Sequence, residues 1–412
     1  MRMTRKVVIT GIGVLSPIGI GKETYWDSLL RGKTGFREIR IFDTSPFAVH
    51  TAGEIRDFDA VSLLGKKGIR TLDRSTRLIS AAAGLALDDA KLLIGDGNSH
   101  SVGVSVGTTF GSLHSISQFD RDGLIDGPKY VNPSHFPNTV INSPASQVSI
   151  RFGIRGFNTT VSTGFCAGLD AVSYASDFIR LGRAEIVLAG GVEELCEETF
   201  RGFYQLGCLS GTDGSLPVCC PFDARRNGTI LSEGAAVLVL ENEQHALGRG
   251  AGILATVAGH GSSFDPSAEN TFDTSGKGLR TAIGIALKDA MLNPEDIDYV
   301  ASGANSTKGF DRFETRILKE VFGEAAFRIP VSSIKSMVGE SFSASGALAL
   351  SASAGAIVRS AIPPTVNYAV KDPACDLDYV ANDARAAQIK NVLVLSSDRY
   401  GNNTAMVLSR YE

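Results

Sequence analysis

The segment TVSTGFCAGLDAVSYA, residues 160–175, decides the fold prediction, because a strand, a turn and a helix follow one another in it without a linker. The β-branched residues at its start favour a strand, Gly164 marks a tight turn, and the remainder, rich in alanine and leucine, favours a helix. A strand that passes directly into a helix is the repeating unit of α/β proteins. The residue at the turn, Phe165 or Cys166, is the one whose side chain points into a pocket.

The same alternation of strands and helices continues on both sides of this segment. Strands are predicted at 6–17, 101–111, 185–194, 253–263, 391–398 and 405–412, and helices at 76–93, 166–183, 278–292 and 343–360. This order predicts α/β layers with mostly parallel sheets. Because the element order is similar in the two halves, we expect an internal duplication with halves at residues 1–250 and 251–412.

Composition and charge exclude several classes of protein. The 412 residues include 40 basic and 44 acidic side chains, for a net charge of −4, and no basic run, so a nucleic-acid partner is not expected. The first apolar run is interrupted by Gly11 and Gly13, so we expect a cytoplasmic protein with no membrane partner. The six cysteines have no C-x-x-C spacing, so we expect neither a metal site nor a disulfide framework.

Four longer motifs narrow the fold further. They are VVITGIGVLSPIG (7–19), PFDARRNGTILSEGAAVLVLE (221–241), VSSIKSMVGESFSASGAL (331–348) and IPPTVNY (362–368). In this order they resemble the β-ketoacyl synthases of the thiolase fold. The resemblance implies an α/β thiolase fold, with duplicated βαβαβαββ halves in a five-layer α-β-α-β-α sandwich. It also implies a dimer and a decarboxylative Claisen condensation, with acyl chains delivered on the phosphopantetheine of an acyl carrier protein and no separate cofactor.

The positions that carry the chemistry of these synthases hold different residues in this chain. The family uses a cysteine at the strand-to-helix turn and two histidines. With Thr163 and Gly168 as anchors, the cysteine position holds Phe165, and the histidine positions hold Gly303 and Glu340. Glycine has no side chain that donates a proton, and an ionised glutamate only accepts hydrogen bonds. The resemblance therefore predicts a degenerate active site in which no catalytic residue is expected.

Residues around these positions are expected to have structural roles. Asp311, Glu314 and Lys335 match the family pattern, whereas Arg399 stands where a gating phenylalanine is expected. The scaffold of the site is thus retained while the condensing groups are replaced.

Cys166 has two interpretations. It lies one residue beyond the nucleophile position, and one step along a helix turns a side chain by about 100°. On the first interpretation it is a packed cysteine that behaves as a small hydrophobic residue. On the second it is a displaced nucleophile.

A ketosynthase homologue without its cysteine resembles the chain length factor of type II polyketide synthases. That subunit pairs with an active ketosynthase in a heterodimer, works with acyl carrier protein and contributes to the acyl tunnel. The expected tunnel and interface residues are Phe110, His114, Phe119, His135 and Phe136, or else these are ordinary core and loop residues. Typical chain length factors of aromatic systems have glutamine at the nucleophile position, so Phe165 leaves the polyketide class open.

Two other functions remain compatible with the sequence. One is an active β-ketoacyl-carrier-protein synthase or acyltransferase with a rearranged site, in which Cys166 is the nucleophile and Glu340 a base. The other is a protein that binds a carrier protein or an acyl chain without a ketosynthase partner. Labelling of Cys166 by an acyl mimic would favour the first, and a stable homodimer that binds carrier protein would favour the second.

Overall fold

Strands and helices alternate along the chain as the sequence predicts. The computed structural model describes residues 5–266 and 275–412. The strands there are β1 Val7–Ser16, β2 Gly19–Ile20, β3 Arg37–Glu38, β4 Thr51–Ala52, β5 Val102–Gly107, β6 Asn158–Val161, β7 Ile186–Glu193, β8 Gly234–Asn242, β9 Ala255–Phe264, β10 Tyr299–Ala301, β11 Val331–Ser332, β12 Ala361–Ile362, β13 Arg385–Ala386, β14 Asn391–Ser397 and β15 Asn402–Ser409.

The helices vary from one turn to nearly five turns. They are α1 Lys22–Leu30, α2 Ala60–Leu64, α3 Arg74–Asp89, α4 Leu113–Ile125, α5 Ser143–Phe152, α6 Ala167–Arg180, α7 Glu197–Gln205, α8 Glu243–Gly248, α9 Lys277–Ala290, α10 Lys308–Phe322, α11 Lys335–Val338 and α12 Ser343–Arg359. Over the described part of the chain, none of them is long and apolar enough to cross a bilayer.

The main sheet repeats one strand order twice. Its order is β11-β10-β14-β15-β9-β1-β8-β7-β5-β6, with β2 added to β1. In the first half β6, β5 and β7 are parallel, while β8 and β1 are antiparallel to their neighbours. In the second half β11, β10 and β14 are parallel, while β15 and β9 are antiparallel. The same strand arrangement in both halves confirms the internal duplication that the element order predicts.

The prediction of mostly parallel sheets is wrong for the strands next to the midline. β14 and β15 are joined by residues 398–401 alone, and so short a connection reverses the chain direction. The two half-sheets meet through β1 and β9, which pair at Val8–Thr256 and Ile9–Ala255. The predicted division after residue 250 falls between α8 and β9 and stays a prediction.

Helices cover both faces of each half-sheet. Val187 and Ala189 of β7 pack toward α6 and α12 in the centre, whereas Ile186 and Leu188 pack toward α3 and α5 outside. The second half has the same arrangement, with β14 between the central helices and the outer pair α9 and α10. Burial on both faces explains the continuous apolar runs of the strands. The layers are therefore α-β-α-β-α, as the thiolase-fold resemblance implies.

The two central helices begin close to each other. A Cβ atom at Gly168, in the first turn of α6, would lie 2.1 Å from the backbone oxygen of Ser343, the first residue of α12. Only a glycine permits this approach. It brings the turn before α6 and the segment before α12 into contact, and these two segments carry the degenerate positions 165 and 340.

Candidate active site

Phe165 occupies the turn between β6 and α6. Residues Gly164–Cys166 form a short 3-10 turn, which begins with Gly164 in the left-handed region at φ +56°. Phe165 lines a cavity of about 1010 Å³, together with Glu340 and Arg399. The structure thus brings three of the sequence-predicted positions onto one cavity. Gly303 lies behind it, among buried residues.

The ring of Phe165 belongs to an aromatic cluster, which consists of Phe110, Phe165, Phe203, Phe342 and Tyr400. The Phe165 ring lies 4.9 Å from that of Phe342, 6.2 Å from that of Phe203 and 6.3 Å from that of Tyr400. The Phe342 ring lies 5.2 Å from that of Phe110. Phe165 is only 6% exposed. Tilted and edge-on rings at these separations attract one another beyond their burial, so the cluster fixes the side chain at the turn.

The backbone N–H of Phe165 is already occupied. It donates to Oδ2 of Asp398 at 3.2 Å, and Oδ1 of the same carboxylate accepts the N–H of Tyr400 at 2.9 Å. Backbone N–H groups beside a nucleophile are the donors that stabilise a developing oxyanion in acyl transfer. A substrate carbonyl would have to displace the Asp398 carboxylate to reach the Phe165 donor.

Cys166 points away from the cavity into the core. It is fully buried, and its thiol donates to the backbone oxygen of Ser396 at 3.3 Å. Burial and the nearby carboxylates of Asp170 and Asp398 raise the pKa of the Cys166 thiol well above its ordinary value. A nucleophilic cysteine needs the thiolate form and access to substrate. The geometry favours the interpretation of Cys166 as a packed cysteine.

Glu340 is a fully paired carboxylate. Its Oε2 accepts from Lys335 Nζ at 2.8 Å and from Asn305 Nδ2 at 3.1 Å, while its Oε1 accepts from the Phe342 N–H at 3.0 Å and from Ser345 Oγ at 2.9 Å. These contacts use the acceptor positions of both oxygens. Glu340 therefore holds the segment before α12 through both of its side-chain oxygens.

Gly303 sits where neighbouring groups fill the space of a side chain. A Cβ atom there would lie 3.2 Å from Glu314 Oε2 and 3.2 Å from the backbone oxygen of Leu395. The Gly303 N–H donates to Glu314 at 3.0 Å, and its carbonyl accepts from Lys335 at 2.9 Å. A histidine at this position would need its neighbours to move.

Two buried acids lie behind Gly303. Burial raises the pKa of Glu314 to about 7, although the Ser302 hydroxyl and the Gly303 N–H donate to it. Burial also raises the pKa of Asp311 to about 6, against backbone hydrogen bonds and the Arg226 guanidinium 3.4 Å away. Both carboxyls bind segments of backbone. They hold the loop after β10, and their purely structural role stays a prediction.

The expected tunnel residues do not form one group in the single chain. Phe110 joins the aromatic cluster. Phe119 and Phe136 contact each other at 6.1 Å, on α4 and on the segment after it. His114 lies 3.2 Å from Glu198, and His135 is exposed. Four of the five thus lie at or near the surface, away from the turn, and their role in a tunnel stays a prediction.

Sequence reasoning did not identify Asp398, Phe203 or Phe342 as residues of the site. In the closing loop it placed Arg399 at the gating position, but the ring beside Phe165 belongs to Tyr400, while Arg399 lines the cavity. Asp398, next to Arg399 in SDRYGNNT, could have been identified from the sequence, because an aspartate in a tight loop commonly accepts hydrogen bonds from backbone N–H groups. Phe342, at φ +50°, gave no comparable signal.

Within residues 5–266 and 275–412, no cluster of three His, Cys, Asp or Glu side chains is placed to hold a metal ion. Residues of both halves form the walls of the cavity, including Lys308 and Gly309 in the first turn of α10. Aromatic and basic side chains line the cavity: Phe165, Phe203, Phe310, Phe313, Lys308, Arg312, Arg316 and Arg399.

Comparison with known proteins agrees with this geometry. The profile of the β-ketoacyl synthase N-terminal domain matches residues 4–246, and that of the C-terminal domain matches residues 254–369. The chain is 36% identical to 3-oxoacyl-[acyl-carrier-protein] synthase 2 of Coxiella burnetii over 98% of this chain and 99% of the relative. It is 34% identical to the Synechocystis protein of the same name over 99% of each.

Solved structures give the same family. The ishigamide ketosynthase/chain length factor superposes with a TM-score of 0.93 at 35% identity, covering 99% of this chain and 100% of that chain. A type II PKS acyl-carrier protein in complex with its ketosynthase gives a TM-score of 0.90 at 30% identity, with the same coverage. With matching family profiles, full-length relatives and the α-β-α-β-α layers of its fold, the chain belongs to the β-ketoacyl synthase family.

Proposed function

We propose that this chain is a non-catalytic ketosynthase-like subunit of the chain length factor type. It pairs with an active β-ketoacyl synthase in chain elongation on acyl carrier protein and helps to shape the acyl tunnel. The observation that carries the proposal is the turn, where Phe165 replaces the nucleophile and the Asp398 carboxylate occupies its N–H. A site built in this way has neither the attacking atom nor a free donor for the oxyanion.

The remaining parts of the condensing machinery support the same interpretation. Glu340 is bound by four donors, and Gly303 has no side chain and little room for one. Cys166, the nucleophile of the competing interpretation, is buried as a thiol on the core side of α6. No observation on this chain favours acyl transfer at Cys166.

A surface for a partner subunit is available. β6 ends the sheet order, and its outer edge has no neighbouring strand in the described part of the chain. α5 contacts β6, where the Asn158 side chain donates to the Ala145 backbone oxygen. Large apolar side chains are exposed on α5, on α4 and on the segment between them: Leu124, Ile125, Tyr130, Phe136, Val140, Ile141 and Ile150. An open strand edge beside an exposed apolar surface is a common protein interface. The structural neighbour named as a ketosynthase/chain length factor supports a ketosynthase as the partner.

The names of similar proteins support an acyl carrier protein as a partner of this chain. The synthases of Coxiella and Synechocystis act, by their names, on acyl-carrier-protein substrates, and one structural neighbour is a complex with an acyl-carrier protein. We infer that the assembled complex uses acyl chains on such a carrier. In this proposal the phosphopantetheine arm belongs to the carrier, and the chain itself needs no cofactor.

The test is co-expression with an active ketosynthase and purification through a tag on this chain alone. We expect a stable 1:1 complex that extends malonyl carrier protein. Activity should disappear when the cysteine of the ketosynthase is replaced by alanine, and it should persist when Cys166→Ala is introduced here. Condensation by this chain alone, abolished by Cys166→Ala, would overturn the proposal. A stable homodimer that binds carrier protein but no ketosynthase would favour the binding-protein function.

A further inference from the structure

The cavity contains a second thiol that the proposed function does not use. Cys208 follows the end of α7 and lines the cavity with Phe165 and Phe203. All six cysteines lie in the described residues, and Cys208 alone is not buried. Burial raises the pKa of each of the others, to about 12 for Cys196 and to about 11 for Cys220. Cys208 is therefore the thiol that a molecule in the cavity can reach.

A guanidinium contacts this thiol. Nη1 of Arg399 donates to Sγ of Cys208 at 2.9 Å. A positive charge beside a cysteine sulfur stabilises the negative charge that a sulfur nucleophile carries. The two residues are 191 positions apart in sequence, and the closing loop after β14 brings Arg399 to the end of α7.

Two hydroxyls beside the pair have no hydrogen-bond partner among residues 5–266 and 275–412. Thr229 and Ser397 both line the cavity, each is only 3% exposed, and neither hydroxyl makes a hydrogen bond. The Thr229 N–H donates to the Cys208 carbonyl at 2.9 Å, which fixes Thr229 next to the thiol. Buried hydroxyls are normally paired, so these two are available to the polar atoms of a ligand.

We propose that Cys208 is an acyl-acceptor thiol. The thiolate attacks the carbonyl carbon of an acyl thioester in the cavity, forming a new C–S bond as the bond to the donor thiol breaks. The donor leaves as a thiolate and takes a proton from water, so no oxidant or reductant is needed. The aromatic wall suits the acyl chain, and the hydroxyls of Thr229 and Ser397 suit its carbonyl oxygen. The choice of a thioester rests on the proposed function.

Acylation at Cys208 is expected to be stoichiometric. A guanidinium has hydrogen-bond donors and no acceptor, so the pair offers no base that would activate water to hydrolyse the new thioester. An acylated Cys208 would then fill the cavity of the non-catalytic subunit. This is a modification of the subunit rather than a turnover.

The experiment uses the purified full-length chain and the thioester of hexanoic acid with N-acetylcysteamine. Intact mass should increase by one hexanoyl group, and peptide mapping should place it on Cys208. Cys208→Ser should abolish the increase. Arg399→Gln should slow it about tenfold or more, with partial recovery in Arg399→Lys. Cys196→Ser and Arg183→Gln, a change to an exposed arginine that does not line the cavity, should leave the rate unchanged.

Two outcomes would overturn the proposal. They are the absence of cysteine acylation, with Cys208 still alkylated by iodoacetamide in the same sample, and an equal acylation rate in wild type and Arg399→Gln. Either leaves the proposed ketosynthase pairing intact, because that proposal depends on the partner's cysteine. Acylation at Cys166 would instead overturn both.

Discussion

Phe165 and Glu340, which stand at positions where the family has catalytic residues, both make specific contacts with their neighbours. At position 165 the ring joins an aromatic cluster and the N–H binds Asp398, and at position 340 the carboxylate binds four donors. Buried polar groups are costly unless they are hydrogen-bonded, so these contacts stabilise the observed arrangement at both positions. A substitution that restores one catalytic residue would therefore place it among groups that contact the present side chain.

Phe165→Cys should not restore condensation in the isolated chain. The new thiol would face an oxyanion donor bound by Asp398, with Gly303 and Glu340 in place of the histidines. We expect decarboxylation of malonyl carrier protein to stay at background, measured as release of labelled CO2. Phe165→Ser is the matched control without a thiol. Decarboxylation well above this control would contradict the interpretation of the site.

Glu314 should make stability depend on pH. Its pKa rises from 4.5 to about 7 on folding, so the folded chain keeps a proton that the unfolded chain releases in this range. The free energy of unfolding should therefore fall as pH rises through this range, and the Glu314 contribution to that fall is on the order of 3 kcal/mol.

Glu314→Gln should reduce this fall, measured by urea denaturation at pH 5, 6, 7 and 8. Glu324→Gln, at an exposed position, is the control and should leave the pH dependence unchanged. An identical pH dependence in wild type and Glu314→Gln would show that the raised pKa is absent in solution.

At the scale of single elements, β6 is a terminal strand of the main sheet, and one of its edges has no neighbouring strand in the described part of the chain. The backbone oxygen of Phe157 accepts a hydrogen bond from the N–H of Val104 in β5. The backbone oxygen of Val161 accepts one from the N–H of Thr108, just after β5. In a parallel pair alternate residues bond to the same neighbour, so the backbone groups of Thr160 face the open edge. α5 contacts this strand through the Asn158 side chain, which donates to the Ala145 backbone oxygen, and Ile150 of α5 is exposed.

Thr160→Pro should therefore prevent assembly with the ketosynthase and spare the fold. Proline removes the outward N–H, and the Thr160 hydroxyl has no hydrogen bond to lose. We expect at least a tenfold loss of complex in size-exclusion chromatography at equal protein concentration. Thr160→Val keeps the N–H and the strand preference and should assemble normally. Normal assembly of Thr160→Pro would exclude β6 from the interface.

At the scale of the whole molecule, the two halves share one central layer. The half-sheets pair directly at two residue pairs of β1 and β9, while α6 and α12 pack between them. Gly168 and Gly191 both approach Ser343, so that the start of α12 fits against the first half. Residues of both halves line the cavity, among them Phe165 before α6 and Glu340 before α12, so its shape depends on packing between the halves.

Gly168→Ala should destabilise the protein, because the new methyl group would lie 2.1 Å from the backbone oxygen of Ser343. Overpacking of this kind costs about 1–3 kcal/mol, and more where backbone must move. Gly202→Ala in α7 is the matched control, because its Cβ would meet no atom within 4 Å. It should be neutral or stabilise by up to about 1 kcal/mol. Equal unfolding free energies of the two variants in urea would contradict the proposed packing.

The sequence by itself determined the order of strands and helices, the duplication, the family and the presence of Phe165 at the turn. These properties depend on short motifs and local periodicity, which a few consecutive residues encode. Tertiary structure decided what those residues contact. Asp398 meets Phe165 across 233 positions, and Cys208 meets Arg399 across 191. Only the tertiary structure showed that some strands are antiparallel. It also showed that four of the expected tunnel residues lie at or near the surface. Such contacts depend on the packing of distant segments, which local patterns do not specify.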